Sequence, residues 1–197
     1  MSKITKLLVI VFLLLQAGCA TFEQKKPHYL TWQERHTELN KLNAWQIKGS
    51  LGVIYKNKSD IVSFNWQEQR DNYQIELFGP LNIGAATIIG NNDGVTLQAS
   101  NKKFFQAKTA EKLLYQQFGW KLPVANMRYW IFANPAPHKI TTAEFDSYNH
   151  LIFLEQQGWL ITFTDFTNVN GIDIPSKIRM QNSNLKIKVA IKEVWFK

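Results

Sequence analysis

The chain predicts a mainly β fold with a helical lid, a single curved antiparallel sheet around an apolar space. Two observations carry this. From Trp45 onward, apolar and polar residues alternate with a period of two over several segments joined by short polar turns, and the pattern returns in the last third of the chain. Between the two runs, from Thr109 to about Phe132, the signals are helical. Successive alternating strands with tight turns form an antiparallel meander. A sheet of roughly ten twisted strands curls or splits instead of staying flat, and helices laid over one opening or face enclose an apolar space.

The elements follow in order. Lys3 and Lys6 precede an apolar run, Leu7 to Leu15, and small residues lead to Cys19. This is the layout of a secretory signal. The run is too short for a membrane span, which needs about 20 helical residues. Leu15-Gln16-Ala17-Gly18-Cys19 resembles a bacterial lipobox, whose cysteine receives lipid and becomes the first residue of the mature protein. Cys19 is the single cysteine, so no intramolecular disulfide forms. We therefore divide the chain into a signal peptide (1–18), a lipidated N-terminus with a tether (19–28) and a single domain (29–197). The tether has no period and contains Pro27; fully extended it reaches at most ~30 Å.

Thr31 and Glu34 form a capping-box pattern, which predicts a helix over 32–42 with Leu39 and Leu42 inward. Trp45, Ile47, Leu51 and Val53 mark a first strand, Val62, Phe64 and Trp66 a second, and Tyr73, Ile75 and Leu77 a third. Shorter strands are expected near 85–89, 95–99 and 103–106, with a turn at 91–94. Thr109 caps a helix that Gly119 ends. Pro123 opens another over 124–132, stopped by Asn134-Pro135-Ala136-Pro137. Two hairpins close the chain, 151–156 with 159–166 around Gln157-Gly158, and 175–181 with 185–196 around Asn182-Ser183-Asn184.

Composition narrows the function classes. The formal net charge is +8, two units of it from Lys3 and Lys6. That surplus suits acidic partners or anionic head groups; an exported chain seldom meets nucleic acid. The 13 Phe, 7 Trp and 6 Tyr either fill a core or line an apolar cavity. No catalytic set has useful spacing: His28, His36, His138 and His150 are far apart, and HExxH, GxSxG and GxxxxGK[ST] are absent. The chain is not expected to be an enzyme or to hold a metal or cofactor. The loop Gly79-Pro80-Leu81-Asn82-Ile83-Gly84 is unusual, because its tip carries Leu81 and Ile83. Either both fold back onto the core, or they form an apolar finger that dips into a membrane. One leucine moved from water to lipid is worth only ~1.5–3 kcal/mol, a transient contact.

The chain resembles the LolB family of outer-membrane lipoproteins, which receive other lipoproteins from the periplasmic carrier LolA. The matching residues are Cys19; Trp45-Gln46-Ile47-Lys48-Gly49-Ser50-Leu51; Phe64-Asn65-Trp66; Leu77-Phe78-Gly79-Pro80-Leu81; and Leu122-Pro123-Val124-Ala125-Asn126-Met127-Arg128-Tyr129-Trp130-Ile131, followed by Pro135-Ala136-Pro137. The resemblance implies a fold that is mainly β with helical lid, a single curved antiparallel sheet forming a half-open barrel around an apolar cavity, and non-catalytic, ATP-independent transfer of acyl chains from a LolA-type carrier, through that cavity, into the outer membrane. It implies that Leu81, with Pro80 and Ile83, forms a membrane-insertion loop. Ala20 after the cysteine is not an inner-membrane retention aspartate, in keeping with an outer-membrane location facing the periplasm. Residues expected to line the acyl-chain cavity are Trp45, Phe64, Trp66, Tyr73, Leu77 and Trp130. The partners are then the carrier, cargo lipoproteins and outer-membrane lipid, with the chain itself a monomer. The competing classes are an envelope lipid hydrolase and a passive structural lipoprotein.

Overall fold

The structure, a computed structural model, describes residues 30–56, 58–79 and 85–196. The expectations for the signal, for Cys19 and for Pro80, Leu81 and Ile83 lie outside the described residues.

A capping box at Thr31 opens helix α1 (Trp32–Lys41): the Thr31 side chain accepts from the Glu34 amide, and the Glu34 carboxylate accepts from the Thr31 N–H at 2.8 Å. Strands β1 (Ala44–Tyr55), β2 (Lys58–Gln69), β3 (Asn72–Phe78), β4 (Ala86–Gly90), β5 (Val95–Ala99) and β6 (Phe104–Ala107) follow. Helices α2 (Ala110–Phe118) and α3 (Val124–Trp130) come next, then β7 (Ile140–Phe145), β8 (Leu151–Gln156), β9 (Trp159–Val169), β10 (Ile172–Gln181) and β11 (Leu185–Phe196). All strand pairs are antiparallel and form one 11-stranded sheet in the order β6-β5-β4-β3-β2-β1-β11-β10-β9-β8-β7. The sheet is not closed, since β6 and β7 are its edges. The pairing of the chain's first strand with its last joins the two sequence runs into one surface.

Several bounds differ from expectation: β9 runs on to Val169 instead of 166, β10 starts at Ile172 instead of 175, and α1 ends at Lys41 instead of 42. The strand β7 adds to the roughly ten foreseen. Its sequence, ITTAEF, is exposed or half-buried throughout, so it carries no alternation signal. Its pairing with β8 shifts register at both ends, a device that blunts an edge strand. Helix α3 stops at Trp130 instead of Phe132, and the chain turns there, with Ala133 at φ 52.

Period-two burial puts Trp45, Ile47, Leu51 and Val53 of β1 on the concave face. Gly49 lies on that face too, at a β1–β11 register shift; a Cβ there would run into the Ala190 carbonyl and the Phe64 ring. The glycine lets the strands approach at the bulge. Helix α1 lies against β10, with the buried Arg35 guanidinium 3.6 Å from Asp173.

The strand ends form two rims. Register puts the β1–β2, β5–β6, β8–β9 and β10–β11 turns, and the ends joined by residues 79–85, on one rim, here rim A. The β2–β3, β4–β5, β7–β8 and β9–β10 turns form rim B.

Candidate functional site

The site is an apolar cavity between the concave face and the lid. Helix α2 is set by its caps: Thr109 accepts from the Lys112 amide, and Gly119, at φ 73, ends it in the left-handed conformation. Leu113 and Leu114 then face inward and are buried. On α3, Val124 and Met127, three apart, share the inward face. The cavity, about 40 Å³, has Phe64, Trp66, Ile75, Leu77 and Ile88 on the sheet side. Leu114, Leu122, Val124, Met127 and Ile131 form the lid side. Leu51 and Val189 complete a wall in which every residue is apolar. A space of that size is far smaller than a lipid acyl chain.

The lid is fastened at both rims. Toward rim B, Arg128 of α3 pairs with Glu68 of β2, whose other oxygen accepts from Trp66 Nε1 at 3.0 Å. Glu68 is buried, and burial pushes its carboxyl up to about 6 against the opposing pull of Arg128 and Trp66. Toward rim A, Trp120 Nε1 donates to Asp60 of β2 at 3.0 Å. The two lid helices are joined where Glu111 accepts from the Ala125 amide at 2.8 Å. Outside the Arg128–Glu68 pair a second, polar recess of about 180 Å³ opens, with Tyr73, Lys108 and Glu111 in its wall.

Of the residues expected in the cavity, Phe64, Trp66 and Leu77 line it. Trp45 lies behind Trp66, at 5.5 Å between rings, and edge-on to Phe132 at 5.0 Å. Tyr73 faces the polar recess, its ring against the bare Cα of Gly90 and its hydroxyl pushed up to about 12 by burial and by Glu111 and Glu68. Trp130 is fully buried on the far side, packed on Trp159 and donating to Gln156 at 2.8 Å. Alternation told that these aromatics point inward, not which neighbour they meet. The lid-side residues and the Glu68–Arg128 pair were missed. The apolar side of α2 was a usable signal for Leu114; nothing in the sequence couples residues 60 apart. Among the described residues there is no group of three or more His, Cys, Asp or Glu placed to hold a metal.

A family profile described as "Outer membrane lipoprotein LolB" matches residues 43–195. An outer-membrane lipoprotein LolB from Coxiella burnetii (strain RSA 493 / Nine Mile phase I) is 36% identical over 184 residues, covering 91% of this chain and 87% of that protein. One from Pseudomonas fluorescens is 34% identical over 191 residues, 94% of this chain and 93% of its own. Among solved structures, a LolA superfamily protein from Nitrosomonas europaea superposes with a TM-score of 0.57 at 9% identity, over 85% of this chain and 94% of that one. A DUF1329 family protein from Desulfovibrio piger gives 0.56 at 6% identity, over 84% and 90%. At such identities the likeness speaks for the fold.

Proposed function

This chain belongs to the LolB family of outer-membrane lipoproteins, and from that premise we propose that it takes lipoproteins from a LolA-type periplasmic carrier and passes them into the outer membrane without catalysis. The observation that carries this is the all-apolar cavity beneath a lid held by few polar contacts. Acyl chains are the ligand class such a wall accepts. The driving force is burial, ~0.8 kcal/mol per methylene, so a triacyl anchor fully enclosed would scarcely leave. A small resting cavity fits that requirement: part of the burial energy goes into displacing α2 and α3, which weakens net retention and allows release. Opening breaks the Arg128–Glu68 and Trp120–Asp60 contacts, while Trp130 at the end of α3 keeps its bond to Gln156 and the sheet beneath stays paired.

In this reading Cys19 carries the lipid that holds the receptor at the membrane, and residues 19–28 keep the body near it. Leu81, flanked by Pro80 and Ile83, enters the bilayer as cargo leaves. Phe64, Trp66 and Leu77 touch the acyl chains; Trp45 and Tyr73 stand beside the path, and Trp130 supports the lid from below.

The test is transfer. The chain is mixed with cargo-loaded carrier, and the partition of cargo is followed by pull-down. Cargo should move to this protein and then to added liposomes; cargo that stays on the carrier sinks the receptor reading. Leu81→Glu should accept cargo normally and fail to release it to liposomes. Normal release by that variant removes the insertion role of the loop.

A further inference from the structure

The two rims carry different charge. At rim A, Lys56 and Lys58 flank the β1–β2 turn, Lys102 and Lys103 lie in the β5–β6 turn, Lys139 precedes β7 and Lys186 starts β11. All are exposed, and no carboxylate among the described residues lies within ion-pair distance of any of them. The carboxylates nearest that rim are already engaged: Asp60 by Trp120 and Glu155 by Thr142. Rim B is mixed, with Arg70 and Lys108 set among Asp71, Asp93 and Asp146. The most exposed large apolar residues also stand at rim A: Ile61, 66% exposed, on β2, and Phe104, 63% exposed, directly after Lys103. The end of β3 and the start of β4 lie at the same rim.

We infer that rim A is a docking face for an anionic lipid surface. The cations come from separate turns spread along one edge of the sheet. An array of that kind suits a plane of many negative charges better than a single acidic side chain, and each lysine adds attraction that falls off within a Debye length. Isolated apolar side chains among cations are the composition of an interfacial surface. Docking this rim turns the end of β3 and the start of β4 toward the bilayer and leaves rim B, with its polar recess, facing away. The inference deepens the receptor reading by giving the body an orientation, and rests on it only for the lipid anchor.

The lysines are their own probes. The full-length chain is reconstituted into neutral phosphatidylcholine vesicles and, separately, into vesicles containing phosphatidylglycerol. Each sample is treated briefly with a water-soluble amine-acylating reagent, and modification is read by peptide mass spectrometry. In anionic vesicles, labelling of Lys56, Lys102, Lys103 and Lys186 should fall about fivefold or more, while Lys108 and Lys112 keep their reactivity. High salt should restore it. The double variant Lys102→Gln/Lys103→Gln should weaken protection at Lys56 and Lys186. Equal labelling in both vesicle types, or an equal fall at Lys108, overturns the inference. So does protection seen only when loaded carrier is added to neutral vesicles, because the face would then belong to an acidic protein. Cargo delivery to the same vesicles is scored in parallel. Delivery without lysine protection overturns the docking face and leaves the receptor reading intact; protection without delivery does the reverse.

Discussion

The two halves of the concave core are built differently. Under β8 and β9, Trp130, Leu151, Leu154, Ile161 and Phe163 are almost wholly buried. The buried amide of Gln156 is saturated there: its Oε1 accepts from Trp130 Nε1 and the Ala136 amide, and its Nε2 donates to the carbonyls of Ala136 and His138. Under α2 and the start of α3, by contrast, the wall is apolar, a void remains, and the polar contacts sit at the margins; Trp130, the last residue of α3, ties that helix to the rigid half. A saturated polar core specifies one arrangement; an apolar wall with marginal fastenings tolerates several. In the proposed function, one half holds the fold while the other gives way to the acyl chain.

Substitutions can break or sharpen this contrast. The largest effect is expected from Trp130→Ala, about 3–5 kcal/mol of lost stability by denaturant unfolding, because the fully buried indole leaves a cavity in the rigid half. Gln156→Leu keeps the volume but strands the Trp130 and Ala136 donors, at a cost of about 3 kcal/mol. If either change left stability untouched while altering uptake of a fluorescent alkyl probe, the division into rigid and adaptable halves would be wrong.

Glu68→Gln tests the lid by pH. The folded carboxyl lies above its unfolded value of 4.5, at about 6, chiefly because it is buried. The protonated form is therefore the one folding favours. Its contribution is full below about pH 4.5 and is lost as pH rises through about 6, roughly 2 kcal/mol in all. Wild-type stability should show this slope, and E68Q should flatten it; an unchanged slope would assign the titration elsewhere. The smallest effect is expected from Trp120→Phe, which removes the hydrogen bond to Asp60 for about 1 kcal/mol. Its informative readout is the alkyl probe, which should bind faster as the lid loosens.

Legibility followed the same division. The sheet was readable because each strand repeats its pattern over many residues, as in Leu185, Ile187 and Val189 against Lys186, Lys188 and Ala190 of β11. Helix limits were readable where a local chemical signal exists, as at Thr31, Thr109 and Gly119. The edge strand β7 had no such signal. Half of the expected cavity wall was readable and half was not: Trp45 and Trp66 are both inward on paired strands, yet only Trp66 meets the void, and Trp130 ends a helix on the far side.

By itself the sequence determined which strand residues face inward, where the helices begin, and which family the chain resembles. These rest on interactions within a few residues or on patterns spread along the whole chain. The tertiary structure alone decided that Glu68 meets Arg128, that Gln156 fastens Trp130, and that lysines from separate turns gather on one rim. Those outcomes depend on how eleven strands curve and which ends they bring together, and a period-two pattern carries the side of the sheet but not the neighbour across it.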